Sequence, residues 1–486
     1  MRRLGIAGLL GALLLVGGCR QKADDRLDVA LIGGPPQLVE PDRGQLTTAD
    51  AVLLGATAQG LVQFDPAGNI VPGLAERWNV SSDGLSYIFR IAQTSWPDGR
   101  KVSAEDVVRL LKRQLRAASR NPLKDTAGAI DEIQAMTDRV VDIELRGPRP
   151  NLLQLLAQPE FALLRDQGGT GPFRIRGRSN DGRVELGRET PGPDGEPAQR
   201  ERAVLAAQPA SLAIARFASG TNDLVLGGTF ADLPLAQAAR LPRNTLRYDP
   251  AAGLFGLVPA RRDGPIADPR LRDLLNRAID RTALVAALDV PDLAGRATIL
   301  QFGLDGLGDP PVPPWLAEDP ARRRAELLNV ADQLFGKGKP RPVLLLDIPV
   351  SPGGRIVIDA LRASWRPLGI RVLAAGPDAT PDLRLVDRVA PSTSPAWFLR
   401  TFRCEFTAVC NPLADTLLDA ARDTPVAAQR GALFGQAAAL MEAQTLFLPI
   451  AAPVRWSLVS RDLPGFQENR FARHPLSGMT NRNGNE

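Results

Sequence analysis

The chain has 486 residues, of which 44% are hydrophobic and 23% are charged, and its 45 glycines and 42 prolines stay below the fraction typical of low-complexity chains. This composition excludes wholesale disorder, and the length suffices for several hydrophobic cores. The net charge of +5 is small, and the arginines are interspersed with acids, which argues against a nucleic-acid-binding protein.

His474 is the only histidine in the chain. A metal site with two or more histidine ligands is therefore excluded, and Ser-His-Asp or Cys-His catalysis could use only this one residue. The sequence also lacks a phosphate-binding loop of the G-x-x-x-x-G-K-[ST] type, a G-x-S-x-G elbow and an H-E-x-x-H motif. Together these absences predict a protein that is not an enzyme and that carries no metal or cofactor.

The N-terminal segment has the features of an export signal. Its start is basic, and residues 4–18 form an uncharged, leucine-rich stretch too short to span a bilayer. The stretch ends in Val-Gly-Gly before Cys19, which resembles a bacterial lipobox. We therefore expect residues 1–18 to be a lipoprotein signal peptide, Cys19 to be lipidated and residues 19–26 to be a tether, which makes the mature chain extracytoplasmic or periplasmic. The alternative is an ordinary signal peptide with an incidental cysteine.

The two remaining cysteines, Cys404 and Cys410, lie six positions apart. In an oxidising compartment this spacing is compatible with a disulfide, which would stabilise the fold by about 2 kcal/mol because the closed loop is short. The alternative is a pair of free thiols. A redox role is not indicated, because the C-x-x-C spacing is absent.

Segments with strand and helix patterns alternate along the chain, which predicts an α/β fold. Strands are predicted near residues 27–33, 78–80, 87–91, 138–145, 184–186, 222–226, 254–258, 342–349 and 370–375, and residues 176–202 otherwise read as a loop region. Helices are predicted near residues 104–115, 150–157, 208–219, 268–288, 319–336, 356–368 and 425–444. The tetrapeptide at residues 81–84 predicts a hairpin turn between two of the strands.

A series of segments, in this order, resembles the oligopeptide/dipeptide/nickel-binding family of solute-binding proteins that serve ABC importers, known as family 5. They are VPGLAERW (71–78), SDGLSYIFR (82–90), WPDG with SAEDVV (96–108), GTGPFRI (169–175), FASGTND (217–223), DPRLR with AIDR (268–281), NPLADTLL (411–418) and LPGF (463–466). Most of them set turns or helix packing, so they indicate the fold more than the ligand.

The resemblance implies a two-lobed fold of the type II periplasmic-binding-protein kind, in its large cluster C form, with an inserted subdomain. By analogy, the first lobe comprises residues 27–47, 169–250 and 456–486, the insertion is 48–168, and the second lobe is 251–455. A ligand would bind in the cleft between the lobes, which close over it by hinge motion.

The resemblance also suggests where the ligand site lies. Peptide-binding members place an aspartate shortly before a Phe-Leu pair, which here begins at Phe398, but the equivalent position holds Pro391 and the nearest aspartate is Asp387. We therefore expect Trp397 and Arg400 to line the cleft instead, since Trp and Arg are good ligand platforms. The alternative is that Trp397 belongs to a lobe core.

Two further candidates, Thr57 and Gln59, lie where the insertion would meet the cleft. Arg400 together with Arg455 suggests an anionic or carboxylate-bearing ligand, whereas nickel binding is disfavoured because His474 is expected near the rim of the first lobe.

The sequence thus predicts a lipid-anchored solute-binding protein that delivers a peptide-like or other small solute to an ABC permease and its ATPase. The membrane would be contacted through the lipid anchor, and nucleic acid is not an expected partner. The alternative is a membrane-anchored sensor or scaffold of the same fold that does not feed a transporter.

Overall fold

The computed structural model describes residues 26–165, 168–190 and 199–479. The predicted signal peptide, Cys19 and nearly all of the tether lie outside these residues. Within them, no helix is both long and apolar enough to cross a membrane.

Strands and helices alternate through most of the described chain. The strands are β1 (Arg26–Ile32), β2 (Val62–Phe64), β3 (Ile70–Pro72), β4 (Ala75–Val80), β5 (Ser86–Ile91), β6 (Ile130–Thr137), β7 (Val140–Leu145), β8 (Arg174–Arg178), β9 (Val184–Thr190), β10 (Gln199–Gln208), β11 (Leu224–Thr229), β12 (Leu246–Tyr248), β13 (Gly253–Pro259), β14 (Val343–Asp347), β15 (Arg371–Ala374), β16 (Leu383–Val389), β17 (Leu448–Ala451) and β18 (Arg455–Val459). The helices are α1 (Thr48–Thr57), α2 (Ala104–Leu115), α3 (Leu152–Leu156), α4 (Ala210–Ala218), α5 (Leu233–Ala238), α6 (Pro269–Ala278), α7 (Arg281–Leu288), α8 (Pro320–Phe335), α9 (Pro352–Trp365), α10 (Pro395–Arg400), α11 (Pro412–Asp423) and α12 (Ala427–Ala443).

The strands form two large mixed sheets and two smaller antiparallel ones. The first sheet has seven strands in the order β12-β18-β11-β1-β10-β9-β8, and the second has five in the order β15-β14-β16-β13-β17. A four-stranded sheet, β4-β5-β7-β6, and the β2-β3 pair are built from the segment between β1 and β8. Strand β13 is buried along its whole length, as expected for a strand covered on both faces.

The two large sheets share one hydrophobic core. Val225 and Trp456 of the first sheet belong to the same buried cluster as Phe255 of the second, and Phe230 lies edge-on to Phe255 at 5.0 Å between ring centroids. A separate core fills the space between α2 and the four-stranded sheet, with Phe89 and Val107 fully buried in it. The inserted segment therefore has a core of its own, whereas the two large sheets are joined through a continuous one.

One predicted helix is two helices. Residues 268–288 break between Ala278 and Arg281, because the Asp280 side chain accepts a hydrogen bond from the Ala283 N–H and starts a new helix. The hydrophobic pattern continues through the break, so periodicity alone did not show it.

The region around residues 176–202 also differs from its prediction as a loop region. It ends in β10, which pairs parallel with β1 and antiparallel with β9. The sequence did not predict this strand, because its first residues are polar. Pairing with β1 on one side and β9 on the other makes it an interior strand of the sheet.

Candidate functional site

A cavity of about 310 Å³ lies between the two large sheets and the inserted segment. We call it the cleft. Its walls come from α1 and the loops around it, the loop after α3, the ends of β11, β16 and β18, and the C-terminal segment at residues 471–475. Segments distant in the sequence therefore meet in its walls.

The floor on the side of the first sheet is made of backbone and an indole ring. A bulge between Val225 and Gly228 in the pairing of β11 with β18 turns the end of the strand. A Cβ atom on Gly228 would lie 2.2 Å from the Trp456 ring, so only glycine lets the ring lie flat against the strand. The Trp456 indole N–H donates to the Thr229 carbonyl at 2.8 Å, which fixes the ring.

An ion pair between the two large sheets crosses the cleft wall. Asp387 of β16 accepts two hydrogen bonds from Arg455 Nη1 of β18, at 2.8 and 3.0 Å. Burial raises the pKa of Asp387, and the Arg455 guanidinium acts in the opposite direction. Because both side chains are largely buried, the pair holds the sheets together only while both charges are present.

The C-terminal segment makes two further polar contacts. Arg473 donates to Glu160 Oε1 at 3.1 Å and to Gln158 Oε1 at 3.1 Å. The His474 ring lies 3.1 Å from Asp249 Oδ2 and stacks on Phe466. These contacts bring the C-terminal segment into the wall of the cleft, and each carboxylate involved faces a basic side chain.

Arg388 differs from these paired groups. It follows Asp387 on β16, lines the cleft, and has its guanidinium carbon 5.5 Å from the centroid of the Trp397 ring. No carboxylate of the described residues forms an ion pair with it, and solvent reaches it through the cleft. The surrounding protein partly desolvates the guanidinium, which lowers its pKa. The cleft thus contains one cation that the protein itself does not neutralise.

The outer side of the cleft is bridged by polar contacts between the inserted segment and the loop after β16. Gln158 Nε2 donates to the Pro391 carbonyl at 2.8 Å, and Gln154 Oε1 accepts from the Thr393 N–H at 2.8 Å. The position that would hold an aspartate in peptide-binding relatives therefore contributes a backbone acceptor here.

The predicted site residues lie in three places. Trp397 is almost fully buried, packs edge-on against Phe398 and also lines the cleft. It is therefore both a core residue and a cleft residue, the two alternatives that the sequence left open. Arg400 lies one turn further along α10 and lines a different cavity. Sequence reasoning missed Arg388, because the strand that carries it, β16, was not among the predicted strands.

Thr57 and Gln59 are close together but do not line the cleft. The Thr57 hydroxyl donates to the Leu53 carbonyl at 2.8 Å, and Gln59 Oε1 accepts from the Thr170 hydroxyl at 3.3 Å. A Cβ atom on Gly171 would lie 2.3 Å from Thr57, so the Gly-Thr-Gly segment passes directly over the end of α1. In the structure these two residues hold the loops behind the cleft wall.

Cys404 and Cys410 are joined by a disulfide in the loop between α10 and α11. The described residues contain no cluster of three or more His, Cys, Asp or Glu side chains arranged to hold a metal ion.

Comparisons with known proteins identify the family. The model of the family "Bacterial extracellular solute-binding proteins, family 5 Middle" matches residues 69–402. The chain is 25% identical to a probable di/tripeptide-binding protein of Pseudomonas aeruginosa, over 98% of this chain and 99% of that protein. It is 22% identical to the dipeptide-binding protein of Escherichia coli, over 85% of this chain and 86% of that protein.

Solved structures share the fold. The murein tripeptide-binding protein MppA of Escherichia coli superposes with a TM-score of 0.76 at 18% identity, covering 93% of this chain and 97% of that one. OppA of Haemophilus influenzae, in complex with the peptide RPPGFSPFR, also gives 0.76, at 16% identity and with 93% and 98% covered. The predicted α/β, type II periplasmic-binding-protein fold is confirmed. This chain belongs to family 5 of the bacterial extracellular solute-binding proteins, whose members are extracytoplasmic substrate-binding proteins.

Proposed function

We propose that this protein captures a small peptide or peptide-like solute with a free carboxylate and delivers it to an ABC permease and its ATPase. The observation that carries the proposal is the unpaired Arg388 guanidinium beside Trp397 in a cleft whose other charges are paired. A carboxylate is the natural partner of such a group, because a guanidinium donates two parallel hydrogen bonds to it. The names of the relatives support peptides as the solute class.

The cleft does not offer a matching anion for a ligand's ammonium group. The carboxylates of Asp387, Glu160 and Asp249 each contact Arg455, Arg473 or His474. We therefore propose that the carboxylate end of the solute, and not its amino end, is held by charge. The cavity of about 310 Å³ has room for a small solute and not for a long peptide enclosed along its whole length.

The lobes and their movement belong to the same proposal. We propose that the first lobe comprises residues 27–47, 169–250 and 456–486, that residues 251–455 form the second, and that residues 48–168 are inserted in the first. The contacts of Gln154 and Gln158 with the loop after β16 then act as a latch that forms when the lobes close over the solute.

Peptides with blocked ends test the ligand class. Melting of the purified protein is followed with dipeptides and tripeptides in three forms: free, N-acetylated, and amidated at the carboxyl end. We expect free and N-acetylated peptides to raise the melting temperature and amidated ones to lose that effect, because only amidation removes the partner of Arg388. Stabilisation by amidated peptides, with none by acetylated ones, would contradict the proposal.

Membrane attachment is proposed to depend on Cys19. In cells that express the full chain, Cys19→Ser should move the protein from the membrane fraction to the soluble extracytoplasmic fraction. A wild-type chain that is already in the soluble fraction would show that the N-terminal segment is an ordinary signal peptide.

A sensor or scaffold of the same fold is the second candidate, favoured by the absence of the expected aspartate at Pro391. It predicts that the protein purified from its own compartment contains no solute and that no peptide stabilises it. A discrete bound solute would rule this candidate out.

A further inference from the structure

A second cavity, of about 90 Å³, lies apart from the cleft, between the inserted segment and helices α10 to α12. We call it the arginine cavity, because five arginines line it: Arg149 from the inserted segment, Arg403 from the loop after α10, and Arg400, Arg422 and Arg430 from the helices. Asp125 and Asp305 also line it, so its wall contains more cations than anions.

Two of the five arginines are neutralised by carboxylates. Arg403 makes two hydrogen bonds to Asp419, at 2.7 and 3.0 Å, and Arg422 forms an ion pair with Asp423 at 3.1 Å.

The other three have no carboxylate partner among the described residues. Arg149 donates to the carbonyls of Pro148 and Arg422, and Arg430 donates to the carbonyls of Thr424 and Pro425. The Arg400 side chain forms no hydrogen bond or ion pair within the described chain, and it lines the cavity.

The two aspartates of the cavity wall form no ion pair with these three arginines. Asp305 Oδ2 accepts from the Thr393 hydroxyl at 2.6 Å, and Asp125 is not within ion-pairing distance of Arg400. Burial, together with repulsion from Arg430 and Arg146, lowers the pKa of Arg149 to about 10, and burial lowers the pKa of Arg400 and Arg430. Desolvation is the largest cause of each shift, while the charges of Asp423 at Arg149 and of Asp125 at Arg400 act in the opposite direction.

We propose that the arginine cavity is a binding site for a small oxyanion, of the phosphate or carboxylate class, held by Arg149, Arg400 and Arg430. The cavity volume suits a group of that size, and charge-assisted bonds from guanidinium groups are the usual way in which proteins hold one. Because Arg149 comes from the inserted segment and the other two from α10 and α12, a bound anion would link these two parts of the molecule.

Inorganic phosphate is the probe for the first test. It is titrated calorimetrically into the full chain at constant ionic strength, in the wild type, in Arg400→Gln and in the control Arg324→Gln, which removes an exposed arginine of α8 outside the cavity. We expect saturable binding at one site, weakened about tenfold or more in Arg400→Gln and within about twofold of wild type in Arg324→Gln. Arg400→Gln should fold normally, since Arg400 makes no bond to the described protein.

A second arm distinguishes the sources of the anion. Phosphate is titrated into protein as purified and into protein stripped of solute by reversible unfolding and dialysis. Equal affinity in the two preparations indicates a free anion, and binding only to the stripped protein indicates that an anionic group of the solute reaches this cavity. The absence of saturable phosphate binding in both preparations, or equal affinity of wild type and Arg400→Gln, would overturn the proposal. None of these readouts depends on solute delivery, so the proposed function can fail or hold independently.

Discussion

The cleft and the arginine cavity are both rich in arginine, yet the two regions neutralise their cations differently. In the cleft, Arg455 and Arg473 each have a carboxylate partner, and only Arg388 is left over, beside an aromatic ring. In the arginine cavity, Arg149 and Arg430 donate to backbone carbonyls only, and the Arg400 side chain has no hydrogen-bond partner among the described residues. Both of our proposals therefore rest on arginines whose side chains lack a carboxylate partner among the described residues, and not on the number of arginines in a wall.

The largest effect is expected where a paired cleft charge is removed. Asp387→Asn leaves Arg455 without its carboxylate in a largely buried setting, so the free energy of unfolding should fall by about 3 kcal/mol. Urea unfolding measures this change. The affinity for an anionic solute should not fall, because the substitution frees a second cation in the cleft wall.

The matched control is Asp347→Asn. Its carboxylate pairs with Arg384 on the same strand as Asp387, but both groups are more than half exposed, so less than about 1 kcal/mol should be lost. Equal losses in the two variants would show that the Asp387 pair gains nothing from its burial.

A smaller effect is expected in the uncharged part of the cleft wall. Gly228→Ala forces the Trp456 ring away from β11, since the added Cβ would lie 2.2 Å from it, and should cost about 2 kcal/mol. Thermal or urea unfolding checks this. Gly55→Ala, also in the cleft wall but within α1 and with no atom within 4 Å of the new Cβ, should instead stabilise the protein by about 0.5 kcal/mol. A tolerated Gly228→Ala would mean that the ring position is not fixed by the strand.

The smallest effect on stability is expected in the arginine cavity. In a phosphate-free buffer, Arg400→Gln should change the free energy of unfolding by no more than about 0.5 kcal/mol, because Arg400 has no partner to lose. Arg403→Gln, which loses two hydrogen bonds to Asp419, should cost about 1 kcal/mol. A larger loss for Arg400→Gln than for Arg403→Gln would mean that the protein, and not an anion, satisfies Arg400.

Local elements were predictable because their signals are local. The hairpin at residues 81–84 joins β4 to β5, and the Ser103 hydroxyl caps α2 by accepting from the Asp106 N–H. The start of α12 shows the limit of such signals. A helix was predicted from residue 425, but the Thr424 hydroxyl donates to the Ala420 carbonyl, and the helix begins at Ala427.

The site was less predictable, because it depends on pairings between distant segments. Asp387 and Arg455 are 68 positions apart and lie in different sheets. Nothing in the pattern around either residue shows that they neutralise each other and leave Arg388 unpaired. Trp397 was found from its place before the Phe-Leu pair. Arg400, three positions later on the same short helix, turns to the other cavity.

Arg388 is proposed to hold the anionic group of a captured solute. Native mass spectrometry of the wild type, Arg388→Gln and Arg384→Gln, all purified without denaturation from their own compartment, tests it directly. We expect a discrete extra mass on the wild type and on Arg384→Gln, where the changed arginine lies outside the cleft on the same strand. In Arg388→Gln the mass should be lost, since about 2–3 kcal/mol of binding free energy corresponds to roughly a 30- to 150-fold weaker complex. An equal occupancy in all three proteins would contradict the claim.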